Sequence, residues 1–533
     1  MRSTIISIFF LTLSALSASA YWPIRPGENL AIHADSTIWE GYCTAHPAGE
    51  DNIVVVFFRG GGANGVGICY QYIDKYGQLL YPTDMPVAPS LTYADLNAPF
   101  KTITDGNKGV YIVWYTSEST DQLLAQHIDS LGTRLWSDSG IVAHQLGTGD
   151  FNLSLDNQGG LYIAVSPNET GGGWSDLYLQ HISSFGNYLW GESGILIADL
   201  PNTEARYPVI CPDTSGGCFL VWQDSRPPYG GTGALFAQHI DFSGNVLWTD
   251  DLYITSGAVQ DYGIKTIPDE SGGFILQSNV NNLQYNHHRR INGSGNILWV
   301  RDHLSYWSSS PMVAGEPGFF YLGWKTGDIC NGQRVDMNGN SHWPVGAAFN
   351  SWSEVSYYGD RHFFYSTPYF YVFYCIINDP NPIRNIYIQA LDSLYNRQYG
   401  TNGQLFSVFP WPWGPYYVNP VVNNNGDVTV VFEYNHSTIP GGGHDVWAKR
   451  MNADGTLGGP NAPIEDVTIA VSGNDVVLRW PAMALNADYK IYKSAVPYFQ
   501  PAEPDTVVQD TVFVDIGAIL GDSCFYRIGW NPR

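Results

Sequence analysis

Charge is scarce in this chain, and basic charge is scarcest: 14% of the residues are charged, with 25 Lys and Arg against 49 Asp and Glu, for a formal net charge of -24. Such a surface repels phosphate backbones and anionic headgroups, and no local basic cluster offsets it, so nucleic acid is not an expected partner. Cysteine is also sparse, at 7 in 533 residues. That is too few and too scattered for a disulfide framework, although an oxidising compartment permits isolated bridges. Cys211 and Cys218 flank a turn at 212–217, which leaves two readings: a bridge across a hairpin, or two small buried residues. Beyond the first twenty residues no run approaches the roughly 18 to 20 apolar residues of a membrane span, so no transmembrane segment is expected. Phosphate-binding glycine loops, nucleophile elbows and zinc-protease helices are missing as well.

What is abundant is Gly (57), Tyr (35) and Trp (18), a mixture that suits strands and tight turns and sets an all-β expectation. The first twenty residues carry Arg2, an apolar run from Ile5 to Leu13 and the small-residue pattern Ala18-Ser19-Ala20. Together these read as a signal peptide (1–20) cleaved after Ala20, which places the mature protein outside the cell or on its surface.

One phrase recurs. It reads Gln126-His127-Ile128-Asp129 through Gly132 to Trp136, then Gln180-His181-Ile182 through Gly186 to Trp190, then Gln238-His239-Ile240-Asp241 through Gly244 to Trp248. Diverged copies start at Gln71, Arg289, Gln333, Gln389 and Lys449, making eight in all. Successive copies are spaced by 44 residues (Arg289 to Gln333) to 60 residues (Gln389 to Lys449), enough for one four-stranded blade with its loops. A second signal lies upstream in several units, as Asp105 with Gly109, Asp156 with Gly160, Asp213 with Gly217 and Asp269 with Gly273. Asp can accept bonds from amides further along a turn and Gly tolerates positive φ, so both signals mark hairpin turns. The recurring Trp is expected to pack blade on blade. Leu30-Ala31-Ile32-His33 resembles a fourth strand, and the last unit lacks one, so the first segment is expected to complete the final sheet.

The phrase strand-Asp-x-x-Gly-x-x-Leu-Trp resembles the tryptophan motif of eight-bladed propellers with pyrroloquinoline-quinone-type repeats, over roughly residues 21–460. This implies an eight-bladed β-propeller, with seven blades as the alternative. Quinoprotein dehydrogenases of that family use a vicinal cysteine pair and calcium, whereas this chain has no Cys-Cys dipeptide. It is therefore more similar to the non-catalytic scaffolding members, and no cofactor is implied. The motif is also similar to the Asp-box of sialidases, which sets its aromatic closer to the glycine.

Residues 461–533 change register, with strands at 467–471, 475–480 and 489–492, a last one at 524–528, and Trp480 as a core residue. This resembles a fibronectin type III domain of a bacterial surface or secreted protein. The usual final strand is expected to be missing or very short, leaving an edge that packs on the propeller or accepts a partner's strand.

In such an architecture the connections between second and third strands share a rim with those between blades, while the Asp/Gly turns lie on the other rim. Function is expected on the variable rim. There Trp174, Asp224 and Arg226 supply a ring with charged hydrogen-bonding groups, and Trp411, Trp413, Tyr416 and Tyr417 supply rings stiffened by prolines. Aromatic faces flanked by carboxylates suit sugars, so these are candidate ligand-binding residues for a carbohydrate or a protein; packing of the loops onto the blade tops is the other reading. Glu118, Glu169, Asp224, Asp328, Asp379 and Glu433 include possible acid–base pairs for a glycosidase or lyase, though sequence spacing cannot pair them. His127, His181 and His239 share one repeat position that places them on diverging blades, which argues against a shared metal. The leading expectation is a secreted or surface binding protein. A propeller glycoside hydrolase or lyase is the first alternative, and a purely structural envelope component the second.

Overall fold

The computed structural model describes residues 22–459 and 467–532, apart from 24–28, 34–38, 61–66, 90–99, 117–121, 146–148, 168–174, 200–202, 229–232, 257–263, 280–284, 307–310, 327–328, 345–346, 351–361, 379–382, 410–414, 436–443, 481–486, 495–504 and 517–524. The chain is all-β and propeller-like. Eight four-stranded antiparallel sheets follow one another, called here sheets I to VIII and opening at Trp39, Lys101, Gly149, Ala205, Lys265, Met312, His362 and Tyr416. The first strand of each packs against the first strand of the next, and that of sheet VIII against that of sheet I. First strands therefore face a common axis. Second and third strands, such as Val110–Tyr115 and Leu123–Ile128, are buried along their whole length, because each sheet is covered on both faces and apolar residues are required at every position.

The recurring residues each have a structural task. Gln126 accepts the amides of His127 and Trp136 through Oε1 (3.0 and 3.1 Å) and donates through Nε2 to the Ser137 carbonyl (2.8 Å), stapling the third strand to the start of the fourth. Gln71, Gln333 and Gln389 do the same. Asp105 accepts the Asn107 and Gly109 amides (both 2.7 Å) with one oxygen and meets His127 Nε2 (3.0 Å) with the other. The pairs His181–Asp156 (2.9 Å) and His239–Asp213 (2.8 Å) repeat this, and Arg290–Asp269 (2.8 Å), Arg334–Glu316 (2.6 Å) and Arg450–Asp427 (2.7 Å) substitute a guanidinium. The repeated histidines thus tie the third strand to the turn between the first two.

The aromatic ten residues after the glutamine position clamps the next sheet. Indole N–H groups of Trp136, Trp190, Trp248, Trp299 and Trp343 donate to the carbonyls of Ser184, Phe242, Gly293, Met337 and Ser393, at 2.9 to 3.1 Å. Each acceptor is the second residue of the turn that follows the third strand of the next sheet, opened by Ser183, Asp241, Asn292, Asp336 and Asp392. In sheet I the shorter Tyr81 donates its hydroxyl to Leu131 instead (3.0 Å). Sheet VIII has Gly459 at this position, and Trp22 from the N-terminal segment fills the gap. Its indole donates to the Lys75 carbonyl (3.0 Å), and a Cβ on Gly459 would lie 2.4 Å from its ring. Leu30–His33 then pairs with His444–Met451 as the fourth strand of sheet VIII. The N-terminal segment supplies both the missing strand and the missing tryptophan.

Residues 467–532 contain two three-stranded sheets, in the strand orders 468–472/475–479/512–515 and 506–508/487–494/525–532, which share a small core of Leu478, Trp480, Tyr489 and Ile491. The last strand, Phe525–Pro532, pairs with Ala487–Ser494. Residues 1–20, read above as a signal peptide, lie outside the described residues. The Cys211–Cys218 bridge is corrected: both are free buried thiols. Cys211 stands opposite Phe219 and Cys218 opposite Pro212, so alternation along the strands sends the two sulfurs to opposite faces, one core with Phe219 and the other with Leu220.

Candidate functional site

Antiparallel connectivity puts the Asp/Gly turns of all sheets on one rim and the longer connections on the other. On the turn rim the polar groups are spent on the repeat's own hydrogen bonds. The variable rim is where the chemistry differs from sheet to sheet, and its described portion contains two charged constellations.

The first surrounds two of the residues singled out in the sequence. Asp224 ends the second strand of sheet IV (Cys218–Asp224) and is buried. Its Oδ2 accepts the Trp222 indole (3.1 Å) and Arg226 Nη2 (2.6 Å), and its Oδ1 accepts the Arg226 amide (2.8 Å). Arg226 folds back over the Phe236 ring (4.1 Å to the centroid) and reaches Asp251 (2.7 Å). Burial alone would lower the Arg226 pKa, but bonds to Asp224 and Asp251 raise it above the ordinary value. The pair forms an internal brace joining the second strand to the fourth. Trp174, Trp411 and Trp413 lie outside the described residues. Tyr416 and Tyr417 open the first strand of sheet VIII, with the backbone of Tyr416 opposite Glu433; their side chains lie outside the description.

The second constellation lies at the seam between sheets VIII and I. His33, on the closing strand, stands 2.6 Å from Asp84 through Nδ1 and 3.4 Å from Glu40 through Nε2, and Arg59 Nη1 is 3.9 Å from Asp84. Glu40 is fully buried. Asp84 and Asp251 hold the same repeat position, each just before the residue that pairs with the third strand (Met85 with Tyr70, Leu252 with Ala237). In both sheets that aspartate faces an arginine from the variable rim. Nearer the axis, Glu433 is buried, pairs with His444 and accepts the Tyr42 amide (3.0 Å). Tyr42 sits at φ 53 in a bulge of the first strand of sheet I, a conformation costly for a residue with a Cβ. Burial, with Asp84 adding to it, pushes the Cys69 thiol up to about 12; burial and then Glu433 raise Cys43 also. Both sulfurs are held as thiols, which are poor nucleophiles.

Of the six acids named from the sequence, Asp224 and Glu433 fall within the described residues, and each is held by a cation or imidazole of its own sheet; Glu118, Glu169, Asp328 and Asp379 lie outside them or have undescribed side chains. Sequence reading missed His33, Glu40 and Asp84. The signal available was the shared position of Asp84 and Asp251, visible only once the fourth strands are aligned. Among the described residues no group of three or more His, Cys, Asp or Glu has metal-binding geometry.

No protein-family model matches the chain, and no curated protein sequence matches it. Among solved structures, apo prolyl oligopeptidase B from Galerina marginata aligns with a TM-score of 0.43 at 10% identity, over 76% of this chain and 57% of that one. The chain thus spans little more than half the length of that protein. An α-L-arabinanase from Penicillium chrysogenum complexed with arabinobiose gives 0.34 at 8% identity, over 58% and 98%. An ulvan lyase, from a new polysaccharide lyase family, gives 0.39 at 9% identity, over 80% and 97%. At these scores the likenesses carry no argument about activity.

Proposed function

We propose that this chain is an exported binding or scaffold protein, an eight-bladed β-propeller followed by a fibronectin type III-like sandwich, that presents its variable rim to a carbohydrate or protein ligand. The observation that carries this reading is the contrast between the rims. On the turn rim the repeated Asp, His and Arg side chains bond within the sheets, while the variable rim changes composition in each unit, and the sequence Trp411-Pro412-Trp413-Gly414-Pro415 directly precedes the first strand of sheet VIII. Such a run of rings suits the C–H faces of sugars. The engagement of Asp224 and Glu433 in internal pairs favours binding over glycoside cleavage, which requires two carboxylates facing a shared substrate. The order of the C-terminal strands, with 475–479 between 468–472 and 512–515, supports the fibronectin-like reading.

A glycan array combined with a turnover screen on the purified protein tests the proposal. Binding without product is expected, and binding falls by about tenfold or more in the Trp411→Ala, Trp413→Ala double variant, as loss of stacked rings typically costs a kilocalorie or more. Released product would instead establish the glycosidase or lyase reading.

A further inference from the structure

The register of the sheets places one residue of each first strand at the same height on the axis, two strands in from the residue preceding the glutamine position. Six of the eight are Thr44, Lys101, Asn152, Lys265, His362 and Asn419; two apolar residues complete the set, and none of the eight is acidic. In a chain with nearly twice as many acidic as basic residues, two lysines and no acid at one height are a local reversal of charge. All six side chains are reached by solvent, whereas the residues behind them, such as Val113 and Ala125 behind Lys101 or Gln277 and His288 behind Lys265, are buried. Solvent at mid-strand, with buried neighbours outward, means a water-filled channel along the axis.

At this height polar side chains usually reach across to the neighbouring sheet. Asn152 accepts the Ile210 amide (3.1 Å), Asn419 donates to the Cys43 carbonyl (2.7 Å), and Lys101 donates to the Phe151 carbonyl with its ammonium 4.7 Å from the Phe151 ring centre. Lys265 departs from the pattern, making no hydrogen bond or ion pair with the described residues. Desolvation holds its ammonium below the ordinary lysine pKa. Lys101 is lowered by the same cause, with Asp150 acting in the opposite sense. An enclosed cation that has no counter-charge among the described residues, such as Lys265, is destabilising unless an anion joins it. Walls of low polarizability focus the field of these groups into the channel.

We infer that the axial channel binds an oxyanion at this height, a carboxylate or sulfate group, with the Lys265 ammonium as its principal counter-charge and Lys101 and His362 on the same ring. The inference does not depend on a ligand at the variable rim. The group has two possible sources, an acidic sugar chain threaded from the rim or a free inorganic anion, and the test separates them.

Sodium sulfate and a galacturonate oligomer are titrated calorimetrically into the full-length protein at constant ionic strength, with a neutral oligosaccharide as control. Saturable binding of sulfate alone identifies the free ion as the source; tighter binding of the galacturonate oligomer identifies the acidic sugar. In either case Lys265→Met is expected to weaken binding by about tenfold or more, and Lys101→Met by less because its ammonium is already bonded. As a measurement on the unmodified sequence, sulfate slows acetylation of Lys265 by an amine reagent, read by mass spectrometry, while chloride at equal ionic strength does not. Absence of saturable anion binding, or equal anion affinity in Lys265→Met, overturns the inference. Loss of rim binding in the Trp411/Trp413 variant with anion binding intact shows that the two sites fail separately.

Discussion

At the residue scale, the sequence made the histidines and aspartates of the repeat conspicuous and the structure explains why they travel together. Burial of Asp213 would raise its pKa, but bonds from His239, the Ser215 amide and hydroxyl, and the Gly217 amide hold it below the ordinary carboxylate value. A carboxylate depressed in the folded state stabilises it above the unfolded value near 4, and that contribution is lost as pH falls through the folded pKa. Asp213→Asn is therefore expected to destabilise by about 3 kcal/mol at pH 7, since it leaves His239 and two amides poorly paired. The difference from wild type should shrink below about pH 4. Urea unfolding at pH 7 and pH 3 checks this, and a gap independent of pH would count against it. Tyr395 shows the same economy: it replaces the turn glycine at φ 69, and its hydroxyl bonds both the amide and the carbonyl of Ala348 in the preceding sheet, offsetting a backbone strain of about 1 kcal/mol.

At the scale of elements, strands and turns were legible because glutamine, turn and aromatic keep a fixed offset, and because alternation is replaced by continuous apolar runs where both faces are covered. The closing strand was legible for the same reason, since Leu30–His33 has the pattern of a fourth strand. Trp22 was not, because it reaches its place through space and stands in the sequence far from Gly459. Trp22→Ala is expected to cost about 3 to 5 kcal/mol, as for other buried large-to-small changes. Trp248→Ala, at an equivalent clamp inside the ring, should cost a similar amount, but Trp22→Ala alone should also speed proteolysis of residues 22–33, because this indole anchors the N-terminal end of a segment otherwise held at the edge of sheet VIII and by the bonds of Asn29 and His33. Thermal unfolding and timed limited proteolysis of the two variants measure the difference; equal cleavage rates would remove Trp22 from the closure. The failed cysteine pairing belongs here too. Sequence proximity across a turn suggested a bridge, but a hairpin register displaced by one residue sends neighbours to opposite faces.

For the whole molecule, the net charge of -24 acts against compactness, because unscreened like charges repel. Raising NaCl from about 10 to 150 mM, which shortens the screening length from about 30 to 8 Å, is expected to raise Tm by a few degrees; a flat or falling Tm would mean that local pairs such as Arg226 with Asp224 and Asp251 already dominate. The sequence alone determined the all-β class, the eight-fold recurrence, the two kinds of turn and the change of pattern near residue 461, because these depend on spacing and on the conformational preferences of glycine, aspartate and aromatic residues. Only the tertiary structure decided which groups meet. It joined Asp224, Arg226 and Asp251 in a brace, gathered His33, Glu40, Arg59 and Asp84 at the seam, brought Trp22 to Gly459 and set Lys101 and Lys265 at one height on the axis. Those meetings depend on the register between strands and on closure between residues hundreds of positions apart, which no local pattern encodes.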